Sequence, residues 1–170
     1  MIKKCLVLSF MLLSFNAFSI EVSEETAIAK IEEFFYLLDV DRYDKEEFSK
    51  VVTEDFQIFE DGLNLDLDSF HEFVTEATGT IVKTDWVLSD FKVTLSTDSA
   101  HISYYNNGVF TTSNGENIYS FWMESVYLII DEGELKVQFL QSDIVERETR
   151  RKNSPFHLII CKLKNNCELH

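Results

Sequence analysis

Three runs near the C-terminal end decide the reading of this chain: Ala100-His-Ile-Ser-Tyr-Tyr-Asn-Asn-Gly-Val-Phe-Thr-Thr112, Tyr119-Ser-Phe-Trp-Met-Glu-Ser-Val-Tyr-Leu-Ile-Ile130 and Leu135-Lys-Val-Gln-Phe-Leu-Gln-Ser-Asp-Ile-Val-Glu146. All three are rich in β-branched and aromatic residues, the types that fit a pleated, half-buried surface. Ser113-Asn-Gly115 and Asp131-Glu-Gly133 break them, and short polar breaks containing glycine are hairpin turns. Upstream, Ile81–Leu95 has the same texture and is separated from the next run by Ser96-Thr-Asp-Ser99. The four runs predict an antiparallel meander. Strands of this length must twist and curl, and one face of such a sheet needs a cover.

The cover is predicted from the N-terminal side. Between Ser23 and Leu38, Ile28, Ile31, Phe34, Phe35 and Leu38 recur at helical spacing, with Ser23 as the cap and Glu24 and Glu25 at the positive end of the helix dipole. Asp44 opens a second, short helix that runs to about Val52. Asp55 to Glu60 alternates as a short strand, and Asp61-Gly62 turns the chain. Asp68 is expected to cap a third helix, with Phe70, Phe73, Val74 and Ala77 as its apolar stripe and Gly79 as its stop. Helices first and a meander after them make an α+β domain: a curled, mainly antiparallel sheet covered by N-terminal helices, enclosing a cone.

Composition bounds the rest. The chain has 170 residues, 45% of them apolar, with five glycines and one proline, which suits a single packed domain and excludes a low-complexity chain. Its formal charge of −15 argues against nucleic acid as a partner, because phosphate contacts need a basic surface. Residues 1–19 read as a secretory signal, with Lys3 and Lys4, an apolar run from Leu6 to Leu13 and the small-x-small site Ala17-Phe-Ser19. The expected location is therefore secreted or periplasmic. That apolar run is too short for a stable membrane span. Residues 20–146 carry 7 basic and 28 acidic side chains, net −21, whereas 147–170 carry 6 and 2, net +4. The expected division is a signal at 1–19, a domain at 20–146 and a basic extension at 147–170. Cys161 and Cys167 are the cysteines left after signal removal; in an oxidising compartment their even count fits a disulfide, with two free thiols as the alternative.

The element order and local texture resemble the nuclear transport factor two-like superfamily, the cone fold of ketosteroid isomerase, scytalone dehydratase and the SnoaL-like cyclases. The resemblance is carried by Phe34-Phe-Tyr-Leu-Leu-Asp39 with Tyr43-Asp44, by Val51-Val-Thr-Glu-Asp-Phe56, and by Phe121-Trp-Met-Glu-Ser-Val-Tyr127 with Glu132-Gly-Glu-Leu-Lys-Val-Gln-Phe-Leu140. It implies that Glu60 sits where the isomerase has its general base. Phe34 stands where that enzyme has a donating tyrosine, and Val126 stands where it has a protonated aspartate, with Glu124 two residues away on the same face.

Glu124 lies between Trp122 and Val126 on an apolar strand face, so it is expected either in the cavity or at its rim. Its candidate partners are Tyr119, Gln141 and Glu60. Aromatic residues Trp86, Tyr104, Tyr105, Phe110, Tyr119, Trp122 and Phe139 are candidates for a pocket wall, and most such residues serve as core. Tyr104, Tyr119, Trp122, Phe139 and Gln141 are the predicted ligand-binding set, with Glu60 and Glu124 as candidate catalytic carboxylates. Asn64-Leu-Asp66-Leu-Asp68 has oxygen ligands at alternate positions but lacks the glycine and terminal glutamate of a calcium loop, and no metal site is expected. No phosphate loop, zinc-protease helix or nucleophile elbow occurs in the sequence. The expected function is binding of a small, mostly apolar molecule in the cone. The alternatives are a cofactor-free isomerase, dehydratase or cyclase with a carboxylate base, and a homodimeric interaction module.

Overall fold

The computed structural model describes residues 21–151. They form, in order, α1 (Glu24–Leu38), α2 (Lys45–Phe48), β1 (Val52–Glu60), β2 (Leu63–Asp66), α3 (Leu67–Thr78), β3 (Ile81–Leu95), β4 (Ser99–Thr112), β5 (Glu116–Asp131) and β6 (Glu134–Arg151). The architecture is α+β. One six-stranded sheet runs in the order β2-β1-β6-β5-β4-β3. The meander β3 to β6 is antiparallel throughout, and β1 joins it parallel to β6. The signal segment 1–19 and the Cys161 and Cys167 pair lie outside the described residues.

Local chemistry explains each boundary. Ser23 caps α1 in a reciprocal box with Thr26, and Asp44 caps α2 by accepting from the backbone N–H groups of Glu46 and Glu47. Asp61-Gly62 and Glu132-Gly133 hold positive φ at both positions, the two-residue geometry that matches strand twist in a hairpin. Even-numbered residues of β4 and β5 point inward: Ala100, Ile102 and Tyr104, then Trp122, Val126 and Leu128, are all buried. With Phe34 and Phe35 of α1, Phe48 of α2, Phe56 of β1 and Phe70 of α3 they make one core. Phe48 stands within 4.9–6.3 Å of the ring centres of Phe34, Phe56, Phe70 and Tyr43. The helices lie on the sheet's inner face, α1 against β3, β4 and β6 and α3 against β1, β2 and β3.

Four details correct the sequence reading. The second helix stops at Phe48, because Val51 and Val52 are drawn into the core, where Val52 starts β1. The cap of α3 is Asp66, which accepts from the Ser69 N–H at 2.9 Å, while Asp68 is an exposed first-turn residue. Asn64 and Asp66 belong to β2, which pairs with β1 across the Asp61-Gly62 turn. Finally, β6 continues past Glu146: Arg147, Thr149 and Arg151 pair with Ser120, Ile118 and Glu116.

β6 also carries two register shifts against β5, between the partners of Tyr127 and Leu128 and between those of Phe121 and Trp122. Each inserts one extra residue, and a bulge of this kind flips every later side chain to the other face. Leu135 and Val137 point inward before the first shift, and Leu140 and Ser142 point inward after it. After the second shift Arg147 shares the inner face with Ser120.

Candidate functional site

The core does not fill the whole cone. Toward one end a cavity of about 270 Å³ remains, roofed by α1 and α3 and floored by the sheet. Phe34, Phe35, Phe70 and Phe73 line it from the helices, and Trp86, Phe110, Ile118, Trp122 and Leu140 line it from the strands. Its polar lining is sparse: Glu60, Glu124, Asn106, Thr84, Thr78 and Arg147. Thr84 is occupied, donating to Asp39 at 2.6 Å and accepting from the Val40 N–H at 3.2 Å, which ties the end of α1 to β3.

The two carboxylates belong to a single row across the sheet. Glu60 of β1 pairs in register with Ser142 of β6, Ser142 with Glu124 of β5, and Glu124 with Tyr104 of β4. Ser142 Oγ donates to Glu124 Oε1 at 2.9 Å. Asn106 Nδ2 reaches both oxygens of Glu124 at 3.4 Å, a longer and weaker contact. Burial raises the pKa of Glu124 to about 7. Tyr104, Ser142 and Asn106 oppose that shift, and the nearby charge of Glu60 adds to it. Glu60 is also raised by burial; Ser142, Trp122 and Arg147 hold it down, while Asp61 pushes it further up. Tyr104, in turn, is held well above the usual tyrosine range by burial and by the charge of Glu124.

Several donors near the row stop short of closing a bond. The Trp122 N–H lies toward Glu60 and the Tyr104 O–H toward Glu124, yet neither reaches hydrogen-bond geometry; the Trp86 N–H and the acceptor Asn106 Oδ1 are likewise buried without a partner among the described residues. The two indoles fit because residue 108 is glycine. A Cβ there would meet Trp122 Cζ3 at 2.8 Å and Trp86 Cζ3 at 3.0 Å. Trp86, Phe110 and Trp122 form a cluster with ring centres 5.2–6.1 Å apart. Arg147 closes the polar end, its Nη1 donating to Asp61 Oδ2 at 3.1 Å and its Nε to Ser120 Oγ at 3.3 Å.

Among solved structures, the chain resembles a candidate aromatic ring hydroxylase from Novosphingobium aromaticivorans at 19% identity and TM-score 0.64, over 76% of this chain and 96% of that one. It also resembles the hexachlorocyclohexane dehydrochlorinase LinA-type3 of Novosphingobium barchaimii at 11% identity and TM-score 0.61, covering 78% and 94%. The association domain of CaMKII from C. elegans matches at 15% identity and TM-score 0.57, covering 70% and 93%. The chain has the nuclear transport factor two-like fold. No family model matches the sequence, and no curated protein does. At these identities the likeness concerns the cone fold and leaves the chemistry to the residues inside it.

Those residues differ from the predicted set in instructive ways. Glu60, Glu124 and Trp122 line the cavity. Tyr104 sits beside Glu124, buried behind the lining. Phe139, Gln141 and Tyr119 do not reach the interior: Phe139 packs edge-on against Phe59 on the outer face, Gln141 donates to Asp143, and Tyr119 lies under the Arg150 guanidinium. Tyr119 follows from strand parity, because odd-numbered residues of β5 point outward. Phe139 and Gln141 follow from the first bulge, which gives their inward places to Leu140 and Ser142. Asn106, Ser142 and Arg147 went unpredicted. Parity from Tyr104 would have found Asn106, and because the two bulges cancel, Arg147 keeps the inward parity of Leu135 and Val137; nothing in the sequence marks the first bulge, which delivers Ser142. No helix among the described residues is long and apolar enough to cross a membrane, and no metal-ligating cluster occurs among them.

Proposed function

We propose that this chain is an exported cone-fold domain that binds a small, mostly apolar molecule in its cavity. The observation that carries the reading is the cavity itself: aromatic walls around a few polar groups, one of them a carboxylate buried at its floor. Binding sites for small molecules have this composition, with a few polar groups fixing orientation inside an apolar wall. Export rests on residues 1–19 and predicts a mature chain beginning at Ile20. Native mass spectrometry of the mature protein purified from its own host tests both parts. A co-purifying small molecule and a mass lacking the signal are expected; intact residues 1–19 or a stable heteromer without small molecule would reject the reading.

A second reading, proton transfer on the bound molecule, is favoured by Glu124. A carboxylate with pKa about 7 exchanges protons readily near neutral pH, and Ser142 and Asn106 orient it. Glu60 would act as its partner. Unchanged turnover by Glu60→Gln and Glu124→Gln proteins would remove this reading while leaving binding intact. Self-association is compatible with both readings, and Tyr105, Met123 and Tyr127 leave an apolar strip on the outer face of the sheet.

A further inference from the structure

Glu124 lacks what a buried carboxylate ordinarily has. Charges taken out of water are normally paired with an opposite charge, because neutral hydrogen bonds alone leave a large desolvation cost. Each group bonded to Glu124 among the described residues is neutral, Ser142 of β6 and Asn106 of β4, and the Tyr104 hydroxyl beside them is neutral too. The charged residue coupled to it is Glu60 of β1, a second carboxylate. Among the described residues Arg147 is the one cation on the cavity lining, and it is bonded to Asp61 and Ser120. From the roof, α1 and α3 contribute apolar side chains and Thr78.

Beside this carboxylate stand Trp86, Phe110 and Trp122, in mutual contact and lining the same cavity. Aromatic rings carry negative charge on their faces and attract organic cations, most strongly where water is excluded. The field of the whole domain has the same sign. Residues 21–151 carry 10 basic and 29 acidic side chains, net −19, which concentrates cations and repels anions around the molecule.

We infer that the cavity takes an organic cation, an ammonium group attached to a flat apolar body, with the charge beside Glu124 and the body among Trp86, Phe110 and Trp122. The inference rests on the binding reading above and names the class of its ligand. The ammonium supplies the counter-charge that the fold withholds from Glu124, and its N–H groups donate to carboxylate oxygens that accept long bonds from Asn106. Binding then couples to protonation. The cation pairs with ionised Glu124, so below the pKa of about 7 its uptake must expel a proton, and its affinity falls as the pH falls. Burial and the charge of Glu124 hold Tyr104 well above this range, so between pH 5 and 8 the slope belongs to Glu124 and Glu60, the two carboxylates that burial raises.

Three probes of one shape test the inference on the mature protein by isothermal titration: naphthylmethylamine, naphthylmethanol and naphthoate. At pH 8 the amine is expected to bind on the order of tenfold or more tighter than the alcohol, with the acid weakest. Its affinity should fall by up to about tenfold per pH unit below pH 7, while the alcohol's stays level. Glu124→Gln should erase the preference of amine over alcohol and flatten the pH slope. Equal binding of amine and alcohol, or a preference that survives Glu124→Gln, overturns the inference and leaves the cavity as a neutral-ligand site. If that variant does not fold, the wild-type pH series decides, because an amine affinity level from pH 5 to 8 has the same meaning. Failure of all three probes to bind removes the binding reading, and this inference with it.

Discussion

The two ends of the cone interior are built from the same strands and the same face, yet they solve opposite problems. At one end Val126 and Leu128 of β5, Ile102 of β4 and Val137 of β6 meet Phe34, Phe48 and Phe56, all nearly or wholly inaccessible to solvent. At the other, Glu124 and Trp122 of β5 and Asn106 of β4 line a hollow, with Ser142 of β6 bonded to Glu124. The change occurs over two residues of one strand, from Val126 to Glu124. Packing therefore stabilises one half, and the other half is left with buried polar groups that cost stability unless something meets them. A difference of that kind is what a binding site carried by a rigid scaffold requires.

Truncation tests this contrast with the largest effect. Phe48→Ala removes a ring enclosed by other rings and should cost about 3–5 kcal/mol in denaturant unfolding. Phe110→Ala enlarges a space that already exists and should cost roughly 1–2 kcal/mol. Equal costs would show that the two ends are packed alike.

The second test is pH. Glu124 is raised in the folded state from 4.5 to about 7, so between those values the native protein binds the extra proton. The contribution of Glu124 to stability should be greatest below the unfolded pKa and should be lost as the pH rises through the folded one, by an amount on the order of 3 kcal/mol. Glu124→Gln should remove most of that decline and be more stable than wild type at pH 8. A wild-type melting profile that is level across this window would place Glu124 in water. Gly108→Ala comes next: its methyl group would strike Trp122 Cζ3, with an expected cost of about 1–3 kcal/mol and a changed near-ultraviolet circular dichroism from the displaced indoles. The smallest effect concerns the helix that roofs the hollow. Asp66→Ala removes the cap of α3 and should cost about 1 kcal/mol, whereas Asp68→Ala breaks an exposed ion pair with Lys45 and should cost less than half of that.

Much of the packed end could be read directly from residue spacing. Ile31, Phe34 and Phe35 share one helical face, the even positions of β4 and β5 alternate cleanly, and Glu124 stands out as a carboxylate among inward apolar neighbours. The hollow end was less legible, for two physical reasons. Small neutral residues such as Asn106 and Ser142 resemble surface residues until strand parity is known. Parity itself is a local count, and it fails wherever an extra residue enters one strand, as it does twice in β6. The sign change at Glu146-Arg147 also proved to be a property of composition, since the ladder runs through it to Arg151.

Those two extra residues behave like dislocations in a crystal. The position of the first along β6 alone decides whether Leu140 and Ser142 or Phe139 and Gln141 confront the interior, although no covalent bond differs between the two arrangements. Excising Gln138 would heal that defect and leave every later side chain on its present face. Displacing it beyond Ser142 would withdraw the hydroxyl from Glu124 and offer a carboxamide in its place. Insertion and deletion in this strand can therefore rewrite the chemistry of the hollow as thoroughly as substitution does.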